Sequence, residues 1–381
     1  MTYLDHGAMT PLRPEARAAL LDALEISGNP ASVHLAGRTA RGLLDRARAK
    51  VAQALGARPA EIVFTSGATE AAALAIRGVL GSTPAGRDDL VVTAVEHPCV
   101  LALATTLRAE GRRVTVLPVD RQGLPNPDAA RSAITARTAL VCAMLANNET
   151  GVILPVRELA ALAHERGALL LTDAVQAIGK IEVSAPALGA DLLALSGQKF
   201  GGPRGAGALW VNSGTRLVPL FGGTQERGRR AGTENLPGIA GLSAAIEAAS
   251  HGRQEEHARI SALREKLESG LIALVPDATV NGSGAPRLPG ITSICLPGVD
   301  AEALLMALDL EGICASAGSA CHSGSTRPSE VLSAMGLPDA EAHATVRFSL
   351  GWTSRDEDVE RALEAVPRLA RQVAQAVRAS G

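Results

Sequence analysis

Residues 191–203 read Asp191-Leu192-Leu193-Ala194-Leu195-Ser196-Gly197-Gln198-Lys199-Phe200-Gly201-Gly202-Pro203. A short apolar run that ends in a cluster of glycines has the length and boundary of a strand stopping in a turn. Lys199 stands just past that end, and it is one of only four lysines in 381 residues. The other three have ordinary settings. Lys50 lies in an Arg-rich helical stretch, Lys180 follows Gly179 in a turn, and Lys266 stands among Arg264, Glu265 and Glu268 on a solvated helix. An amine beside a strand end is placed to condense with a carbonyl, although a surface loop lysine would give the same letters.

Outward from this run, the same pattern recurs at Glu61–Thr65, Leu90–Val95, Val114–Pro118, Thr138–Leu145, Ala168–Asp173 and Ala206–Val211. Helical stretches, such as Pro98–Glu110 and Pro155–Arg166, fill most of the gaps. This alternation predicts an α/β fold with a mainly parallel seven-stranded sheet covered by helices. A helix-rich stretch at Leu236–Leu274 follows, and beyond it the signals become an α+β mixture. Strands are expected at Ile291–Leu296 and Thr345–Leu350, and helices at Asp300–Leu310, Pro328–Met335 and Arg355–Arg378. Small and polar residues at 315–326 show no apolar period and read as a loop. The expected division is a large domain over 13–255 and a smaller α+β domain over 1–12 and 256–381, carrying that loop.

Composition excludes several classes. A net charge of −2 argues against a nucleic-acid or membrane surface as main partner. Met1–His6 shows no basic or apolar leader, and no run of about eighteen apolar residues exists. Five scattered cysteines (99, 142, 295, 314, 321) without a Cys-x-x-Cys pair suit a reducing cytoplasm and give no intrinsic metal site. Cys142 and Cys295 fall inside apolar strands, where burial accounts for them.

Ligands of open α/β sheets bind beyond the carboxyl ends of the strands. Four groups stand there. Thr65–Glu70 turns a strand into a helix, where Ala68, Thr69 and free N–H groups suit a phosphate. Asp173 ends a strand, facing a position where it would keep a pyridine nitrogen protonated, with Gln176 within reach of a ring oxygen. His97, in Glu96-His97-Pro98, can stack on a ring and move protons. Asn148, in Asn147–Gly151, offers a second amide to the ring oxygen. Each also has a plain reading as a cap or a turn. With Lys199 they point together to an enzyme using pyridoxal 5′-phosphate.

These residues, in this order, resemble the cysteine desulfurases of the iron–sulfur cluster assembly (IscS/NifS) type, within the class V aminotransferases of fold-type I. The resemblance runs nearly end to end. It takes in Tyr3–His6, Asn29–His34, Thr65–Glu70, Glu96–Pro98, Asn147–Gly151, Thr172–Gln176, Ser196–Pro203, Gly222–Gly228, Ala231–Thr233, Gly318–Cys321 and Arg347–Gly351. It implies Lys199 as the Schiff-base lysine, Asp173 on the pyridine nitrogen, and Asn148 with Gln176 on the phenolic oxygen. Ala68, Thr69, Ser196 and Gln198 would hold the phosphate, joined by Thr233 from a second subunit of a homodimer. His97 would stack over the ring and Arg347 would pair with the substrate carboxylate. Cys321 would be the nucleophile, taking sulfur from L-cysteine as a persulfide and leaving L-alanine.

The resemblance also implies a sulfur-acceptor protein, such as an iron–sulfur scaffold, on which Cys321 is a candidate transient cluster ligand. Three positions depart from the pattern: Gln198 replaces a usual histidine, Met9 a usual threonine and Ala231 a usual serine. Selenocysteine lyase, a class V transaminase, and a non-catalytic scaffold of the same fold are the competing readings.

Overall fold

The computed structural model describes residues 1–318 and 328–380. In chain order the strands are β1 (Thr2–Tyr3), β2 (Ile62–Thr65), β3 (Asp89–Thr93), β4 (Val114–Leu117), β5 (Thr138–Cys142), β6 (Leu169–Asp173), β7 (Leu192–Ser196) and β8 (Gly207–Val211). Then follow β9 (Thr279–Val280), β10 (Ile291–Cys295), β11 (Ile313–Cys314) and β12 (Thr345–Ser349). All seven expected strands of the large sheet form, in the order β2-β8-β7-β6-β5-β3-β4. The pairings from β7 through β6, β5 and β3 to β4 are parallel, whereas β8 runs antiparallel to both β2 and β7. Strands β5, β7 and β8 are buried throughout, as continuous apolar runs under helices on both faces require. Edge strand β4 alternates instead, and Val116 faces out.

Helix Ala68–Ser82 lies on this sheet through Ala71, Ala72, Leu74, Ala75, Ile76 and Val79. Its small, strongly helix-forming residues allow close approach to the strands. Helix Pro98–Ala109 starts with proline at its first position, and the His97 ring accepts from the Cys99 amide as its cap. Apolar clusters cover both faces of the sheet, one including Leu44, Leu145 and Leu195, the other Leu74, Leu140 and Leu192.

A separate cluster joins Leu4, helix Arg253–Leu274, helix Ala301–Leu310 and helix Asp356–Ser380 to Ile294, Val346 and Phe348. Its sheet has the order β12-β10-β9. The first residues pair in parallel with β11, and Asp5 then bridges to Ser349 at the end of β12. The chain start therefore runs from the small sheet straight to the end of β7. Among the described residues, no helix is long and apolar enough to cross a membrane.

Candidate active site

Lys199 lies in the turn Gly197–Lys199 that ends β7, and its Nζ donates to the carbonyls of Gly7 and Ala8 at 2.9 and 2.6 Å. Those acceptors come from the opening segment, held by Gly7 N donating to Ser349 Oγ at 2.7 Å. Asp173 ends β6 under the same amine. Its Oδ1 accepts from the Val175 amide at 2.9 Å, closing an Asx-type turn, and a turn instead of a helix follows it, so it is not a helix cap. Burial raises the Asp173 carboxyl to about 6, against the opposing pull of the Val175 amide and the Lys199 charge.

His97 is also within the field of Lys199. Burial, then that charge, lowers its basicity, so the ring is neutral near pH 7. Nδ1 accepts from the Cys99 amide at 3.2 Å and lies 3.1 Å from Cys99 Sγ, which leaves the ring proton on Nε2. Cys99 in turn bonds the Thr69 side chain, so Thr69, Cys99 and His97 form one connected row.

At the end of β5, Asn147 Oδ1 accepts from the amides of Glu149 and Thr150, both at 2.9 Å, and folds the turn that carries Asn148. Among the described residues Asn148 Oδ1 is buried without a hydrogen-bond partner, while its carbonyl accepts from Arg347 Nη1 at 2.9 Å. Arg347 is 2 % exposed; its Nη2 pairs with Asp5 at 2.8 Å and its Nε is buried without a partner among the described residues. A buried carboxamide oxygen and a buried guanidinium N–H with spare capacity are rare, because each costs about 1–3 kcal/mol unless something completes it.

Beyond Lys199, Ser196 Oγ donates to Gln198 Oε1 at 2.6 Å. A Cβ on Gly207 would stand 2.6 Å from Gly67 Cα, so only glycine lets β8 pass beneath the start of helix Ala68–Ser82. Ser196, Gln198, Ala68 and Thr69 thus surround one helix N-terminus. Gln176 spans two groups: its Nε2 donates to Gly7 O at 2.8 Å and its Oε1 accepts from Lys180 Nζ at 2.6 Å.

Thr233 is exposed, in a segment where Arg230 pairs with Glu70 at 2.8 Å, and among the described residues it makes no hydrogen bond to these groups. Cys321, with the loop at 319–327, lies outside the described residues. Lys180 does lie in a turn, but its setting is not an ordinary one: its amine bonds Gln176, and it lines the same cavity as Lys199. Asp5, Gly7, Ala8, Lys180 and Glu96 were not singled out from sequence. Only the spacing of Gln176 and Lys180 offered a hint.

A family model described as aminotransferase class-V matches residues 2–362. The chain belongs to the class V aminotransferase family. Members of that family use pyridoxal 5′-phosphate, and the groups above suit it: an amine, a buried acid, an unpartnered amide and a helix N-terminus face one space. A cysteine desulfurase of Gluconacetobacter diazotrophicus is 47% identical over 369 residues, covering 96% of this chain and 92% of the relative. A solved NifS-like protein superposes with a TM-score of 0.90 at 32% identity, covering 97% of this chain and 99% of its own. Another solved structure, described as SspA in complex with cysteine, gives a TM-score of 0.82 at 32% identity over 92% of this chain and 99% of its own.

Proposed function

We propose that this chain is a pyridoxal-phosphate-dependent cysteine desulfurase that converts L-cysteine to L-alanine and passes the sulfur, as a persulfide on Cys321, to an acceptor protein. The observation that carries this reading is that Asp173 lies in the field of the Lys199 amine, while Asn148 Oδ1 and Arg347 Nε are buried without a partner among the described residues. Bound at this site, the cofactor supplies an electron sink for the bonds at the amino acid's α-carbon, provided that Asp173 keeps its ring nitrogen protonated.

The remaining work belongs to the chain. Ala68, Thr69, Ser196 and Gln198 bind the phosphate, with the helix N-terminus contributing up to about 2 kcal/mol. Asn148 and Gln176 orient the ring through its phenolic oxygen, and His97 stacks over it. Arg347, anchored by Asp5 and the Asn148 carbonyl, binds the substrate carboxylate through its remaining N–H groups. Lys199 takes the α-proton, and the Gly7 and Ala8 carbonyls give its amine a fixed place to stand.

Cys321 attacks as the thiolate. Its sulfur bonds to the substrate sulfur, the substrate Cβ–S bond breaks, and the electron pair stays on carbon, which gains a proton to become alanine. A free thiol with a pKa near about 8.5 is only a few per cent ionised at pH 7, so a proton acceptor is required. His97 is neutral and its Nδ1 lone pair is engaged by the Cys99 amide, so it stacks over the ring and is not that acceptor.

Thr233, exposed in its own chain, is read as a phosphate ligand of a second subunit in a homodimer. The acceptor is read as an iron–sulfur scaffold, the compartment as cytoplasm, and the division into 13–255 and 1–12 with 256–381 as the domain boundary. Purified protein given L-cysteine and a thiol reductant is expected to yield equal alanine and sulfide, and Cys321→Ser is expected to abolish both. Undiminished turnover in that variant would remove the persulfide. Amino-group transfer without sulfide would make the chain a transaminase.

A further inference from the structure

Lys180 Nζ lies 2.6 Å from Gln176 Oε1, four residues before it in the chain, and forms no salt bridge among the described residues. Part of its side chain lines the cavity that Lys199 also lines, beside Thr10, Arg13 and Trp352. We propose that Lys180 is a positioning residue of the site, which fixes the carboxamide of Gln176 so that its N–H end faces Gly7 and the space beside Lys199. This rests on the reading of that space as the pyridoxal phosphate site.

The two ends of a carboxamide have nearly the same shape, so only hydrogen-bond partners decide which way it faces. When protonated, Lys180 Nζ can only donate and therefore selects Oε1. The Gly7 carbonyl can only accept and therefore selects Nε2, at 2.8 Å. The two choices agree, and the second N–H of Nε2 remains for an oxyanion. Gln176 is 3 % exposed, so losing the amine would leave a buried carbonyl oxygen without a donor and drive the side chain to another rotamer.

Packing alone does not call for an amine at this position. Burial, then the like charges of Lys199 and Arg347, push the Lys180 amine down to about 7. His6 feels it as well, being lowered to about 3 by burial, then by Lys180 and Arg13. A methionine would fill the same volume without that penalty, so the amine is retained against an electrostatic cost.

The test titrates apo-protein with pyridoxal 5′-phosphate and follows its visible band, giving affinity and the pH midpoint of the band. Lys180→Met is expected to weaken affinity by about tenfold and move the midpoint, while Lys180→Arg, which keeps a donor, stays within about threefold of wild type. In a Gln176→Ala background, Lys180→Met should cost nothing further, because its effect passes through Gln176. Lys180→Ala in the same cycle gives the coupling if the methionine variant does not fold. Additive losses, or an unchanged affinity and midpoint in Lys180→Met, overturn the proposal while leaving the cofactor site standing. A wild-type chain that takes up no cofactor overturns both.

Discussion

Glu96 Oε1 accepts from Thr93 Oγ1 and from the Met144 amide, both at 2.6 Å, behind the site and fully enclosed. Burial, aided by the Asp173 charge and opposed by those two hydrogen bonds, raises its carboxyl from 4.5 to about 7. A raised acid holds its proton better in the folded chain, so its contribution is complete below 4.5 and is lost as pH rises through about 7. Glu96→Gln keeps the oxygen that accepts both bonds and removes the titration. The variant should gain on wild type as pH rises through that window, levelling off near about 3 kcal/mol above neutrality. Urea unfolding of both apo-proteins at pH 5 and pH 8 gives the difference; parallel profiles would mean that Glu96 is charged in the folded chain throughout. At Arg347 the expected effect is kinetic. Arg347→Lys offers no planar fork, so KM for cysteine should rise by about tenfold or more while the cofactor's visible band persists. An unchanged KM would place the substrate carboxylate elsewhere.

At the scale of elements, the closest backbone approach in the site is between β8 and the turn before helix Ala68–Ser82. Gly207→Ala sets a Cβ 2.6 Å from Gly67 Cα, where no flexible side chain can yield. It should cost about 1–3 kcal/mol and weaken cofactor binding, because the displaced turn carries the phosphate-binding amides. Full affinity in Gly207→Ala would show that the phosphate is held elsewhere. The seven strands of the large sheet were legible because each is a short apolar run ending in glycine or polar residues, and their burial follows from that composition. The direction of β8 was not, since Gly207–Val211 reads the same either way. The two-residue strands β1 and β9 escaped notice too: Thr2 and Tyr3 are extended only because Ile313 and Cys314, far along the chain, pair with them. Lys180 was misread for a similar reason. Its neighbours Lys199 and Arg347 come from distant parts of the chain, which local sequence does not record.

Across the whole molecule, the segment carrying Thr233 is tied to the core through Glu226. Arg48, in helix Leu35–Ala54, pairs with both Glu226 oxygens at 2.6 Å, and the Phe64 amide of β2 donates to Oε2 at 2.9 Å. Glu226 and Arg227 hold φ of 48° and 58°, a left-handed backbone that non-glycine residues adopt only under constraint. Arg48→Met would leave a buried carboxylate half-satisfied, at a cost of about 3–5 kcal/mol, and release that segment. If Thr233 serves a partner subunit, the variant should also show a lower dimer fraction by light scattering, whereas an unchanged dimer would separate Glu226 from the interface. The site residues were legible as letters at strand ends. What joins them, the bonds of the opening segment to Lys199 and of Arg347 in β12 to Asn148 and Asp5, became visible only in the folded chain.

All of these roles depend on Lys199 being the amine that takes the cofactor. Borohydride reduction of the yellow protein, followed by proteolysis and mass mapping, locates the fixed pyridoxyl group. It is expected once per chain, on Lys199 and not on Lys180. A label on Lys180, or none on Lys199 in a protein that turns over cysteine, would contradict the assignment.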